Sequence, residues 1–316
     1  MWLELWVLSW RSQGTAQADA SEHGRSSNGR RTGMSTVKPM TSTHSAATVT
    51  RLQPAPHRPS VSLVGAGPGD PELLTLKALK AIQQAEVLVY DRLVSDAILA
   101  MANPDAERIY VGKRCGQPSM KQEAINQVLI EQARQGRYVV RLKGGDPLIF
   151  GRGGEEGLAL AAEAIPFDFV PGITAAIGCA ASTSIPLTHR EMSRSVTLVT
   201  GHVVSGALPA WAQLIGAGQT IVFYMGLEQA REIQSGLTLG GLSKDTPLAV
   251  VVKGCTPEEK VHVSSLGKLT KLGQALKGQS PALLIIGDVV ALRATLNQAL
   301  NCKDAPETNP KEVFYG

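Results

Sequence analysis

The sequence predicts an α/β protein: two α/β domains with mainly parallel sheets and an interdomain cleft. Three observations carry this. From residue 60 onward, short apolar and β-branched runs alternate with amphipathic stretches of helical period. Such alternation implies parallel strands covered on both faces by helices. The series pauses across 171–194 and then begins again, so two domains enclose a cleft of the kind where ligands bind.

Residues 1–59 differ in kind from the rest of the chain. Ser, Thr, Ala, Arg and Gly dominate 12–59 without hydrophobic periodicity, which reads as a disordered extension. Trp2, Trp6 and Trp10, three of the chain's four tryptophans, fall four apart on one helical face. Three readings stand for this segment. It is a dispensable extension upstream of a start at Met34 or Met40, or a transit peptide with Glu4, Asp19 and Glu22 against it, or a membrane-surface helix without the usual basic face. The first domain, 60–172, has strands at 61–64, 87–90, 108–111 and 138–142, with helices at 72–84, 95–101 and 120–135. A linker and cleft segment, 173–194, leads to the second domain, 195–300. That domain has strands at 195–200, 220–225, 248–252 and 282–286, and a last helix ends near Leu300 ahead of a tail, 301–316.

Composition narrows the function. A chain of 316 residues with 43% hydrophobic content can bury a sizeable core. No apolar run approaches the roughly 20 residues of a membrane span. Residues 1–59 carry seven Lys or Arg against three Asp or Glu, so the whole surplus of +4 lies there and the remainder is neutral. A neutral body argues against a nucleic-acid footprint, which needs a basic face. Cys115, Cys179, Cys255 and Cys302 form no Cys-x-x-Cys pair and have no matching histidine spacing. That excludes the usual zinc patterns, predicts no metal, and suits reduced thiols in a cytoplasmic compartment.

Several strings carry chemistry. Residues 141–156, RLKGGDPLIFGRGGEE, place five glycines after a buried strand and before a helix that starts near Glu155. Gly144-Gly145 allows positive φ and close approach, which suits a ligand, although a flexible loop would use the same residues. Gly65-Ala66-Gly67-Pro68-Gly69-Asp70 also joins a strand to a helix. It is not a dinucleotide fingerprint, because Pro68 sits inside the loop, no glycine fills the third position, and Asp70 caps the helix with a carboxylate. Asp91 and Lys113 end two strands, where parallel sheets present functional groups, though capping and surface charge explain them equally. Small residues in Pro171-Gly172-Ile173-Thr174-Ala175-Ala176 permit either a ligand or close helix packing, and Met225 suits a core.

Taken together, VGAGPGDPELLT, GGDPLIFGRGGEE, PGITAA, PLTHR and FYMG resemble the tetrapyrrole methylases, and within them the branch that acts on uroporphyrinogen III. The resemblance runs from about residue 61 to 292. It implies S-adenosylmethionine as methyl donor, two pyrrole carbons of uroporphyrinogen III as acceptors, precorrin-2 as product, and a homodimer. It further implies that Pro68, Gly144, Gly145, Asp146, Ile149, Thr174, Ala175, Met225 and Gly254 hold the cofactor. By the same resemblance Asp91 is a general base and Lys113 takes part in proton transfer or substrate handling. Arg152 and Arg190 are assigned to substrate carboxylates, a task suited to guanidinium groups, and Glu155 orients Arg152 or a pyrrole N–H. Two rivals remain: a relative acting on a later corrinoid precursor or ribosomal RNA, and a nucleotide-binding regulator without catalysis.

Overall fold

A computed structural model describes residues 59–112, 120–201, 211, 215–216 and 218–301. The expectations for the N-terminal extension, for Lys113 and for the C-terminal tail lie outside these residues. Five strands form a wholly parallel sheet: β1 (Val61–Gly65), β2 (Val87–Tyr90), β3 (Glu107–Tyr110), β4 (Val139–Lys143) and β5 (Phe167–Val170), in the order β3-β2-β4-β1-β5. Strands β1 and β4 are buried at every residue, as the middle of a sheet covered on both faces should be, although β4 carries Arg141 and Lys143 among its apolar residues.

The two-residue period of a strand divides these side chains between the faces. Val64, Leu88, Val140 and Leu142 pack against Ala78 and Ile82 of α1 (Leu76–Gln83) and Ile98 of α2 (Asp96–Ala100). Leu63, Val89 and Val139 pack instead against Ile125 and Leu129 of α3 (Gln122–Arg134) and Leu160 of α4 (Gly153–Ala162). Each of the larger side chains contributes about 1.5–3 kcal/mol by leaving water. The helix expected at 72–84 is interrupted. A 3₁₀ turn over Pro71–Leu73 is capped by Asp70, which accepts from the Glu72 amide at 2.9 Å, and Thr75 restarts the chain as α1 by accepting from Ala78 at 3.1 Å.

The second sheet corrects the expectation of mainly parallel strands. It contains β6 (Ser195–Thr200), β7 (Gln219–Tyr224), β8 (Pro247–Val252), β9 (Lys260–Ser265) and β10 (Ala282–Ile286), ordered β6-β7-β10-β8-β9. Only β6 and β7 pair in parallel; the other three pairings are antiparallel. The link from β8 to β9 is too short for the dozen or so residues of a parallel crossover, so it closes as a hairpin. Two strands escape the sequence pattern. Asp168 interrupts the apolar run of β5, but at the sheet edge its carboxylate accepts from Ser62 Oγ at 2.6 Å and Lys77 Nζ at 2.8 Å. Strand β9 is half exposed and carries Lys260 and His262.

Between the sheets runs α5 (Ala175–Thr183), whose Ala176 and Cys179 pack on Val222, Val251 and Ile285. The opposite face of the second sheet is covered by Ile233 and Leu237 of α6 (Ala230–Leu239) and Leu269 of α7 (Leu269–Ala275), against Phe223, Val250 and Leu284. A final helix, α8 (Leu292–Asn301), ends the described chain.

Candidate active site

The carboxyl ends of β1, β2 and β4 open onto a cavity of about 500 Å³, whose other wall comes from the second sheet. This lies within the range usual for small-molecule sites, about 300–1,000 Å³. Arg92 Nη2 donates to Ser280 Oγ at 3.3 Å and ties the two walls together. Pro68, Asp91, Gly144, Gly145, Ile149, Arg152, Thr174, Ala175, Met225 and Gly254 all line this one space. Their positions in the chain are distant; the C-terminal edge of the first sheet gathers eight of them, and Met225 and Gly254 come from the second sheet.

Glycine density has two causes here. A Cβ on Gly65 would stand 2.5 Å from the Gly172 nitrogen, and one on Gly172 would stand 2.3 Å from the Gly145 oxygen. Three backbones therefore meet where no side chain fits. Gly144 and Gly153 are likewise crowded by the protein's own Leu93 and Pro147, so packing explains part of what suggested a ligand. Gly145 is different. Its φ is +71°, it exchanges backbone hydrogen bonds with Gly67 at 3.1 and 2.6 Å, and a Cβ would meet nothing closer than 3.8 Å. The backbone needs glycine at Gly145, and the space before it is open.

The wall facing that loop is held rigidly. Thr174 Oγ1 and Tyr224 Oη lie 2.7 Å apart, and Tyr224 Oη also accepts from the Ala176 amide at 2.9 Å, locking the start of α5 to β7. Burial keeps the Tyr224 phenol above its usual range. Phe150 stacks obliquely on Tyr224 with ring centres 4.9 Å apart. Met225 is 54% exposed with φ of +54°, so it is a strained surface residue of the cavity and not core filler.

Beneath the cavity lies a charged cluster that sequence reasoning did not single out. Arg141, Lys143 and Glu156 are 3%, 4% and 0% exposed. Glu156 Oε1 accepts from Lys143 Nζ at 2.7 Å, Arg141 Nε at 3.2 Å and Gln122 Nε2 at 3.2 Å. Its Oε2 is buried and unpartnered. Arg141 Nη2 reaches forward to Asp91 Oδ2 at 3.0 Å, while Asp91 Oδ1 accepts from the Leu93 amide at 3.0 Å. Burial, aided by the neighbouring Arg141 charge, lowers the Lys143 pKa, and Glu156 opposes that shift. One signal was available: cations at Arg141 and Lys143 stand two apart in a strand and so share a face.

The remaining expected site residues fall elsewhere. Asp146 ties the loop from behind the wall, accepting from Leu148 at 2.8 Å and from Gly172 at 3.1 Å. Glu155 pairs with Arg152 at 2.9 and 2.5 Å outside the cavity, and that hydrogen bond holds its carboxyl below the usual range. Arg190 sits exposed on the tight turn that His189 and Ser193 close by backbone hydrogen bonds of 2.8 and 2.9 Å, and it does not line the cavity.

The sequence model of the tetrapyrrole (corrin/porphyrin) methylases matches residues 60–270. The chain belongs to that family. Siroheme synthase 2 of Klebsiella pneumoniae subsp. pneumoniae is 54% identical over 245 residues, 78% of this chain and 53% of the relative. This methylase thus spans about half the length of the curated relatives it matches. Among solved structures, uroporphyrin-III-C-methyltransferase of Thermus thermophilus is 44% identical with a TM-score of 0.62, covering 75% of this chain and 95% of that one. A structure of the Thermus thermophilus enzyme complexed with S-adenyl homocysteine is 38% identical, with a TM-score of 0.64 over 73% of this chain and 93% of that one.

The lining fits an adenosyl group that carries no phosphate. Pro68, Ile149, Ala175 and Val251 offer apolar surface, the Gly145 backbone can be approached closely, and Thr174 supplies a hydroxyl. Gly145→Val tests this. A β-branched residue at positive φ, with its methyls in the open space, should weaken S-adenosylhomocysteine binding at least tenfold by calorimetry, a loss of about 1.4 kcal/mol. Undiminished affinity would move the cofactor away from this loop.

Proposed function

We propose that this methylase transfers methyl groups from S-adenosylmethionine to two pyrrole carbons of uroporphyrinogen III, giving precorrin-2 for siroheme-type or cobalamin-type tetrapyrroles. The observation that carries the reading is the single cavity in which a glycine-lined apolar wall faces Asp91 and the Arg141–Lys143 floor. The likeness to a uroporphyrin-III-C-methyltransferase across 95% of its length supports it.

S-adenosylmethionine supplies an already activated methyl on its sulfonium. The protein's tasks are then to align the reactants, exclude water and take a proton. Alignment falls to the Pro68, Gly144-Gly145 and Thr174-Ala175 walls, which would hold the donor against the acceptor. The carbon that gains the methyl leaves the ring system with a proton to lose, and Asp91 faces the cavity with lone pairs free beyond its two hydrogen bonds. Arg152, at the cavity rim, is the guanidinium assigned to a substrate carboxylate, with Glu155 orienting it. Arg190 serves a carboxylate arm in this reading only if the arm extends beyond the described cavity.

Incubation with uroporphyrinogen III and labelled donor, followed by mass spectrometry, should show a product that has gained two methyl groups and lost two protons. No transfer, with donor binding retained, would favour a regulator instead. Arg152→Ala should weaken substrate binding about 10- to 100-fold, the scale of one charge-assisted hydrogen bond, and leave donor affinity unchanged. Equal loss of both in calorimetry would remove the role given to Arg152.

A further inference from the structure

Among the described residues, the mechanism leaves two thiols unused. Cys179 on α5 and Cys255 in the loop after β8 are far apart in the chain, yet the fold sets them against each other at the cavity wall. Cys179 lines the cavity, and so does Gly254, the neighbour of Cys255. The clearance is reciprocal. A Cβ on Gly254 would stand 2.3 Å from Cys179 Sγ, and one on Gly178 would stand 3.0 Å from Cys255 Sγ. Each cysteine thus sits where the other segment has a glycine, which lets two sulfur-bearing backbones approach. Cys255 Sγ also donates to Ser182 Oγ at 3.7 Å, one turn along α5 from Cys179. Cys255 is half exposed with φ of +58°, whereas Cys179 is buried.

We propose that Cys179 and Cys255 form a redox-active dithiol that closes to a disulfide by exchange with a low-molecular-weight disulfide, and that closure reshapes the donor cavity. Cys255, the more accessible of the two, attacks first, forming a mixed disulfide and expelling one small thiolate. Cys179 then loses its proton to solvent and attacks Cys255 Sγ, expelling the second. Both protein thiols give up one electron and one proton each, and the small disulfide is reduced to two thiols. The hydrogen bond from Cys179 holds Cys255 at about 7, below the ordinary thiol range, which suits the attacking role. The same contact, together with burial, pushes Cys179 up. Once Cys255 is capped that contact is gone, and burial together with the nearby Glu259 charge continues to oppose ionisation of Cys179.

Closure reaches the donor site through packing. A Cβ on Gly69 would stand 2.9 Å from Thr256 Cγ2 and 3.2 Å from the Cys255 oxygen, so the 254–256 segment rests on the loop that carries Pro68. Gly178 rests on Pro68 itself, with a Cβ there only 2.5 Å from Pro68 Cγ. Drawing the two sulfurs together moves both supports.

The test uses the full chain with Cys115→Ser and Cys302→Ser, equilibrated in buffers of reduced and oxidised glutathione. Peptide mapping should find a Cys179–Cys255 cross-link lighter by two hydrogens, and calorimetry should find S-adenosylhomocysteine binding at least tenfold weaker, restored by dithiothreitol. Adding Cys255→Ser should abolish both effects. Glutathione trapped on Cys255 without a cross-link would overturn the proposal, as would a cross-link that leaves donor affinity unchanged. The mapping arm is independent of methyl transfer, so its failure is distinct from failure of the proposed activity.

Discussion

Glu156→Gln is expected to cost about 3–5 kcal/mol of stability in urea denaturation, the scale for removing one partner of a buried ion pair. The cause is arithmetic of charge in a dry site. Two cations, Arg141 and Lys143, share Glu156 Oε1, and both are almost wholly buried. Glutamine keeps the shape and loses the charge, so Lys143 must give up its proton or remain unpaired. Lys143→Met in the same chain should recover most of the loss, because Arg141 retains Asp91 and the Leu142 carbonyl at 2.9 Å. A double variant no better than Glu156→Gln alone would mean the carboxylate acts through packing and not through charge.

The largest expected effect on catalysis is at Asp91. Asp91→Asn should lower the rate of methyl transfer about 10²- to 10⁴-fold, the usual contribution of a positioned base. The fold should hold, since Arg141 keeps Glu156 and the amide oxygen can still accept from Leu93. Donor affinity, measured with S-adenosylhomocysteine, should be unchanged, because Asp91 faces the acceptor side of the cavity in the proposed arrangement. Retention of the full single-turnover rate would send the proton elsewhere. Loss of donor affinity alone would make Asp91 a binding residue.

The buried cluster also shows why its members are worth keeping. A buried ion pair is weak evidence of stabilisation, since hydrophobic residues of similar volume often do as well. What this one supplies is orientation. Glu156 fixes Arg141, and Arg141 holds Asp91 at the rim of the cavity through a chain of hydrogen bonds that starts beneath the sheet. The unpartnered Oε2 of Glu156 is the cost of that arrangement.

Much of the site was legible because its parts are local. Pro68, Gly144-Gly145 and Thr174-Ala175 each follow a strand of the parallel sheet, and the ends of such strands converge at one edge. Met225 was read from resemblance; its strained, exposed backbone appears only in the structure. Arg190 could not be placed from its motif, because a tight turn decides where it points, and the turn is set by the pairing of His189 with Ser193.

The amino-acid sequence alone determined the alternation of strands and helices, the cap at Asp70, and the glycines where backbones bend. These depend on neighbours a few residues away, so periodicity and residue type suffice to reveal them. Only the tertiary structure decided that the second sheet is mixed, that Asp91 meets Arg141, that Glu156 lies beneath Lys143, and that Cys179 meets Cys255. Those outcomes depend on strand order and register across long stretches of chain, and local composition carries no record of which distant segment will lie alongside.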